Sequence, residues 1–133
     1  MRIEPGEAGH LLAMMADPAA RLTLPSSVYR LVLAQVSLSE AFAFFVDGVA
    51  APVVLAGLAP IGNGDRDCWF LVSPVAARHM RPFVRLARGV LDRRTGCICF
   101  VRPDNRQGRR LAALLGFRPE DHFVGRHQRW RRH

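Results

Sequence analysis

The side chains in this chain best suited to chemistry are its arginines and a few carboxylates. There are nineteen arginines, no lysine and eleven acids in 133 residues, for a formal net charge of +8. Residues 1–77 hold four arginines against seven acids, and residues 78–133 hold fifteen against four. Such asymmetry points to a polyanionic partner, or to phosphate groups on a ligand, taken up by the C-terminal half. Arginine without lysine is also what a GC-rich genome produces. Asp65 and Asp67 precede the apolar run Cys68–Val72 and can take a proton, followed as candidates by Glu40 and His79. The ordinary role of each is a turn, cap or exposed residue. The stretch Arg126–His133 mixes cations with Trp130, a combination suited to phosphate contact and base stacking. With no nucleic-acid module visible, it reads better as an edge strand kept soluble by charge, with Trp130 packed on the sheet. The histidines, including His122 and His127, form no metal set, and no Ser-His-Asp or Cys-His arrangement stands out. Cys68, Cys97 and Cys99 are an odd count without metal spacing, which fits a reducing compartment. Cys97 and Cys99 fall on one face of a strand as small core residues.

The elements that must position these residues can be read from periodicity. Half of the residues are hydrophobic, enough for one domain with a real core, residues 1–133. The longest apolar candidate, Val49–Ile61, is cut by Pro52 and Pro60, so no membrane span is expected. The N-terminus carries Glu4 and Glu7 and no long apolar core, so it does not read as a signal peptide, and cytoplasmic residence is the expectation. Arg2–Glu4 is a short strand. Glu7–Ala16 is a helix, and Pro25-Ser26-Ser27 opens a second with Val28, Leu31, Val32 and Val36 inward. Ala41–Val46 and Val53–Leu58 are strands around a turn at Asp47-Gly48. Pro60–Asp67 reads as a loop, and Cys68–Val72 as a buried central strand. A helix spans Pro82–Arg93, with Pro82 at its first position. Its inward stripe is Val84, Ala87 and Leu91. Strand 97–101 leads to helix 105–115, capped by Asp104 or Asn105, with Leu111, Leu114 and Leu115 as its apolar stripe. Gly116 stops it, and Phe117–Val124 and Arg126–Arg131 form a last pair around Gly125.

Asn105–Phe117 reads N-R-Q-G-R-R-L-A-A-L-L-G-F after an apolar strand. This spacing resembles the last helix of the GNAT acyltransferases, roughly N-x-x-A-x-x-L-Y-x-x-x-G-F. The order β-α-α-β-β-β-α-β-α-β-β is similar to that family's over nearly the whole chain, best from Ala41 to Phe117. The resemblance implies an α/β (α+β) fold, with a mixed, mainly antiparallel sheet of six to seven strands and helices on both faces. Pro52–Gly57, Gly64–Phe70 and the basic helix after them also resemble acetyltransferase-like proteins of tailed phages, which would allow a virion location.

The resemblance further implies acetyl-CoA as co-substrate and transfer of its acyl group to an amine. The backbone of Leu71 and Val72 would hold the pantetheine arm, and Asn105 the arm near the thioester. Arg78 stands at the family's Arg/Gln position, but Arg81 and Phe83 replace two small residues of the pyrophosphate loop, and Pro82 removes an amide donor. Arg78, His79 and Arg81 would then supply charge-assisted contacts in place of amides, unless they are simply a solvated helix face. Asp67 and Asp65 are the catalytic candidates. Ala112 stands where the family often has a general-acid tyrosine, and the chain's one tyrosine is Tyr29. The alternatives are a non-catalytic scaffold of this fold that binds protein, and a basic nucleic-acid-associated protein.

Overall fold

The computed structural model describes all 133 residues, Met1–His133. The strands are β1 (Arg2–Pro5), β2 (Glu40–Phe45), β3 (Val54–Gly62), β4 (Asp65–Val72), β5 (Cys97–Val101), β6 (Phe117–Val124) and β7 (His127–Arg132). The helices are α1 (Ala8–Ala16), α2 (Ser26–Leu38), α3 (Met80–Leu91) and α4 (Arg106–Leu114), with a 3-10 segment, Pro74–His79, leading into α3. This is a mixed α/β fold. Its seven-stranded sheet has the order β1-β2-β3-β4-β5-β7-β6 and is mostly antiparallel, with β4 and β5 parallel. No helix is long and apolar enough to cross a membrane. The chain forms two compact units, through both of which β3, β4 and α3 run.

The first unit comprises Met1–Ala59 and Trp69–Phe83. In it β1 and β3 flank β2, with Ile3 opposite Phe44 and Ala43 opposite Leu55. Alternation sends Ala43, Phe45 and Leu55 toward Leu11 and Met14 of α1 and Val36 of α2, with Trp69 and Leu71 packed on the same cluster. Phe44 faces the other way, edge-on to Phe83 at 4.9 Å between ring centroids, and Phe83 also meets Phe70 at 5.8 Å. The Trp69 indole donates to the Ser39 hydroxyl at 2.8 Å and lies over Gly57, where a Cβ would come within 2.6 Å of the ring. In α2 the face on the cluster is Tyr29, Val32, Leu33 and Val36, while Leu31 is 63% exposed and Val28 37%. Both stripes have helical spacing. Contact with α1 and the sheet selects the phase 29/32/33/36, which corrects the expectation for Val28 and Leu31.

The second unit comprises Pro60–Cys68 and Val84–His133. The expected loop 60–67 is instead a hairpin. Asn63 and Gly64 both adopt positive φ (55° and 77°), as a two-residue turn between twisted strands requires. Strand β3 therefore continues to Gly62, and β4 starts at Asp65. Cys97 and Cys99 are buried, as their spacing predicts, alongside Ala87, Leu91, Ala112, Leu115, Phe117 and Trp130. Strand β7 is not an edge: it lies between β5 and β6, so β6 is the edge. A hairpin at Gly125 returns the last strand to the inside, where the Trp130 side chain is buried. The helix α4 buries Ala112 and its C-cap Leu115 and leaves Leu114 45% exposed, against the expected stripe. Its last carbonyls are satisfied by arginines: Arg88 donates to the Leu114 carbonyl at 3.2 Å and Arg132 to that of Leu115 at 2.8 Å.

Candidate functional site

The candidate residues of the first unit follow one another along the chain. Leu71 is half-buried and Val72 exposed at the end of β4. The Ser73 amide donates to the Val53 carbonyl at 2.9 Å. Its side chain is 1% exposed, and its hydroxyl neither caps the following turn nor has any hydrogen-bond partner. Sequence alone carries no signal for this orphaned group, since a serine before a proline looks like ordinary turn chemistry. In the turn and first helical residues, Arg78 and Arg81 are exposed and make no ion pair or hydrogen bond, while His79 is half-buried.

Two departures from the family's loop take on a different character here. Helix α3 starts at Met80 rather than Pro82, so Pro82 is its third residue. A first-turn amide has no acceptor within the helix, and its loss leaves the helix intact while removing one donor for a ligand. Phe83 is 0% exposed and packs edge-on against Phe44 and Phe70, so its ring belongs to the core. The inward stripe is accordingly Phe83, Ala87 and Leu91, with Val84 half-buried. The two guanidiniums, at Arg78 and Arg81, stand exposed beside the start of α3.

In the second unit the two carboxylates of β4 have opposite environments. Asp65 accepts a two-pronged contact from Arg131, at 2.9 and 3.1 Å. That guanidinium bond, with the charges of Arg131 and Arg129, outweighs desolvation and holds the Asp65 carboxyl below its usual value. Such a carboxylate is a poor base. Arg131 also faces Glu120, which accepts from Arg129 at 2.7 Å, so Asp65 belongs to a structural ion network. Asp67 has no cation beside it, and burial pushes its carboxyl up. It is the better candidate for general base, since its basicity is moved toward neutral pH. The neighbouring thiols are inert. Burial and the Asp67 charge push Cys99 up to about 12, burial pushes Cys68 well above its ordinary value, and no cysteine is in a disulfide.

Asn105 caps α4, its Oδ1 accepting from the Gly108 amide at 2.9 Å, and it is exposed. Its carbonyl oxygen is therefore committed to the helix and its amide nitrogen remains a donor. Ala112 is 4% exposed and offers no acid. Tyr29 packs half-buried on the α1–α2 cluster. Glu40 stands at the start of β2.

No family model and no curated protein matches the sequence. Solved structures do. PaiA N-acetyltransferase from Thermoplasma acidophilum, in complex with coenzyme A, aligns with TM-score 0.68 and 11% identity over 99% of this chain and 98% of its own. The ribosomal-protein-S18-alanine N-acetyltransferase of Escherichia coli aligns with TM-score 0.65 and 17% identity over 97% and 89%. A GNAT-family acetyltransferase from Bacillus anthracis gives 0.65 and 13% over 96% and 90%. At such identities the likeness shows the fold: this chain has the GNAT acetyltransferase fold.

Proposed function

We propose that this protein is an acyl-CoA-dependent N-acyltransferase that acts on an amine. The observation that carries the reading is likeness to N-acetyltransferases over nearly the full length of both chains, one of them bound to coenzyme A. Bound acyl-CoA supplies an activated thioester carbon. The backbone of Leu71 and Val72 holds the pantetheine arm, Arg78 and Arg81 with His79 hold the phosphates, and the Asn105 amide nitrogen steadies the arm near the thioester. Asp67 takes the proton from the acceptor ammonium, directly or through one water, and so releases a neutral nucleophile. No side chain at Ala112 protonates the departing sulfur. Catalysis rests on positioning and on the base.

Calorimetry with acetyl-CoA tests this reading, with dephospho-CoA as comparison. Arg78→Ala/Arg81→Ala is expected to weaken acetyl-CoA binding about 100-fold, as two charge-assisted contacts would, and to leave little difference between the two ligands. Unchanged affinity in that variant removes the arginines from the site. Absence of wild-type binding at millimolar ligand leaves the fold without its co-substrate and favours the non-catalytic scaffold.

A further inference from the structure

The net charge of this protein is confined to one part of it. The second unit holds fourteen arginines against six acids, whereas the first holds five of each. Most of those six acids are already engaged: Asp65 by Arg131, Asp92 by Arg132, Asp104 by Arg102, and Glu120 by Arg129 and Arg131. Arginines without a carboxylate are therefore left at the surface. They are densest on α4, a helix with no acid in its sequence. Arg106, Arg109 and Arg110 are all exposed. Arg106 and Arg110 have no partner, and Arg109 donates only to the Pro103 carbonyl, at 3.4 Å.

Their spacing is three and four residues, which brings like charges together on one face, where they repel. A face that serves only solubility mixes both signs. A membrane-surface helix needs a broad apolar face beside its cations, and here Gln107, Ala113 and a single leucine, Leu114, are the exposed neighbours. Guanidiniums present planar forks that match phosphate oxygens. We infer that the exposed face of α4, through Arg106, Arg109 and Arg110, is a sequence-independent docking surface for the phosphate backbone of a nucleic acid. The inference does not rest on the acyl-CoA reading, although Asn105, which that reading places beside the thioester, caps the same helix.

Fluorescence anisotropy tests it, with a fluorescein-labelled mixed-sequence DNA of about 30 nucleotides, single- and double-stranded, titrated across salt. Affinity should fall steeply between about 50 and 200 mM salt. Arg106→Gln/Arg110→Gln should weaken binding by about 10-fold or more and reduce the log–log salt slope by about 2, one per phosphate contact. Arg106→Lys/Arg110→Lys should keep most of the affinity, because the charge remains. Arg21→Gln/Arg30→Gln removes the same charge from the first unit and should change neither quantity. Absent or salt-insensitive binding overturns the inference. So do equal losses in the two glutamine variants, and equal affinity for polyglutamate of matched charge, which would assign the face to acidic proteins. Thermal midpoints by circular dichroism confirm that every variant is folded. Acetyl-CoA calorimetry on the same samples tells a failure here from a failure of the acyltransferase reading.

Discussion

Two aspartates one pleat apart on β4 show how environment divides like residues. Asp65 is held below its usual value by Arg131, and Asp67 is raised by burial. The consequences for stability have opposite sign. A carboxyl with a lowered folded value contributes stability that is present above the ordinary aspartate range and is lost as pH falls through the folded value. Asp65→Asn should therefore reduce stability at pH 7 and have less effect in acid, where the wild-type pair is already broken. A carboxyl with a raised folded value binds more protons folded than unfolded, so stability falls as pH rises from the ordinary aspartate value of 3.8 through the folded one. Asp67→Asn should then stabilise the protein at pH 7 and lower turnover by about 10²–10⁴-fold if Asp67 is the base. Urea unfolding at pH 7 and at about pH 2, below the ordinary aspartate range, with amine acetylation assays on the Asp67 variant, separates these effects. A loss of both stability and activity would reduce Asp67 to a structural residue. Sequence could place the two aspartates but not tell them apart, because Arg131 is distant in the chain and reaches Asp65 only through the sheet.

At the scale of elements, Phe83 is the one fully buried side chain that helix α3 sends into the first unit. Phe83 is fully buried between Phe44 and Phe70, at the position where the family's loop carries a small residue. Phe83→Ala should cost about 3–5 kcal/mol in chemical denaturation. It should not improve acetyl-CoA affinity, since the ring is turned into the core; a marked gain in affinity would show that the ring obstructs the ligand. Gly57→Ala should cost about 1–3 kcal/mol, because the new methyl meets the Trp69 ring. These contacts explain what was legible in the sequence. The element order, the strands around Cys68–Val72 and Cys97–Val101, and the cap at Asn105 each carry a local signal of periodicity or capping chemistry. Which helix face turns inward does not: Leu31 and Leu114 fit a helical stripe and yet stay exposed, because neighbouring elements decide the phase. The inner position of β7 is also non-local, set by which strand partners it finds on return from Gly125. At the candidate site the charged residues were legible by type. The inward turn of Phe83, the orphaned Ser73 hydroxyl and the engagement of Asp65 required the packing.

For the molecule as a whole, β3, β4 and α3 run without interruption through both compact units. We propose that the chain unfolds as one domain, and calorimetric and van't Hoff enthalpies should then agree; two resolved transitions would contradict this. The charge distribution bears on the same transition. Ion pairs and self-repulsion respond to salt in opposite directions. The pairs Asp65–Arg131 and Glu120–Arg129 are half-buried, with side-chain exposures of 23–28%, and are weakly screened. The unpaired arginines of α4 are exposed and fully open to screening, with a Debye length of about 10 Å at 0.1 M salt. Relief of repulsion should therefore win. The thermal midpoint should rise between about 20 and 200 mM NaCl by roughly 3–5 °C, the shift that about 1 kcal/mol produces in a domain of this size. Arg106→Gln/Arg110→Gln should raise the low-salt midpoint and flatten its dependence on salt. A midpoint that falls with salt would mean that the ion pairs of β4, β6 and β7 outweigh the repulsion, and that the arginine face is no burden on the folded protein.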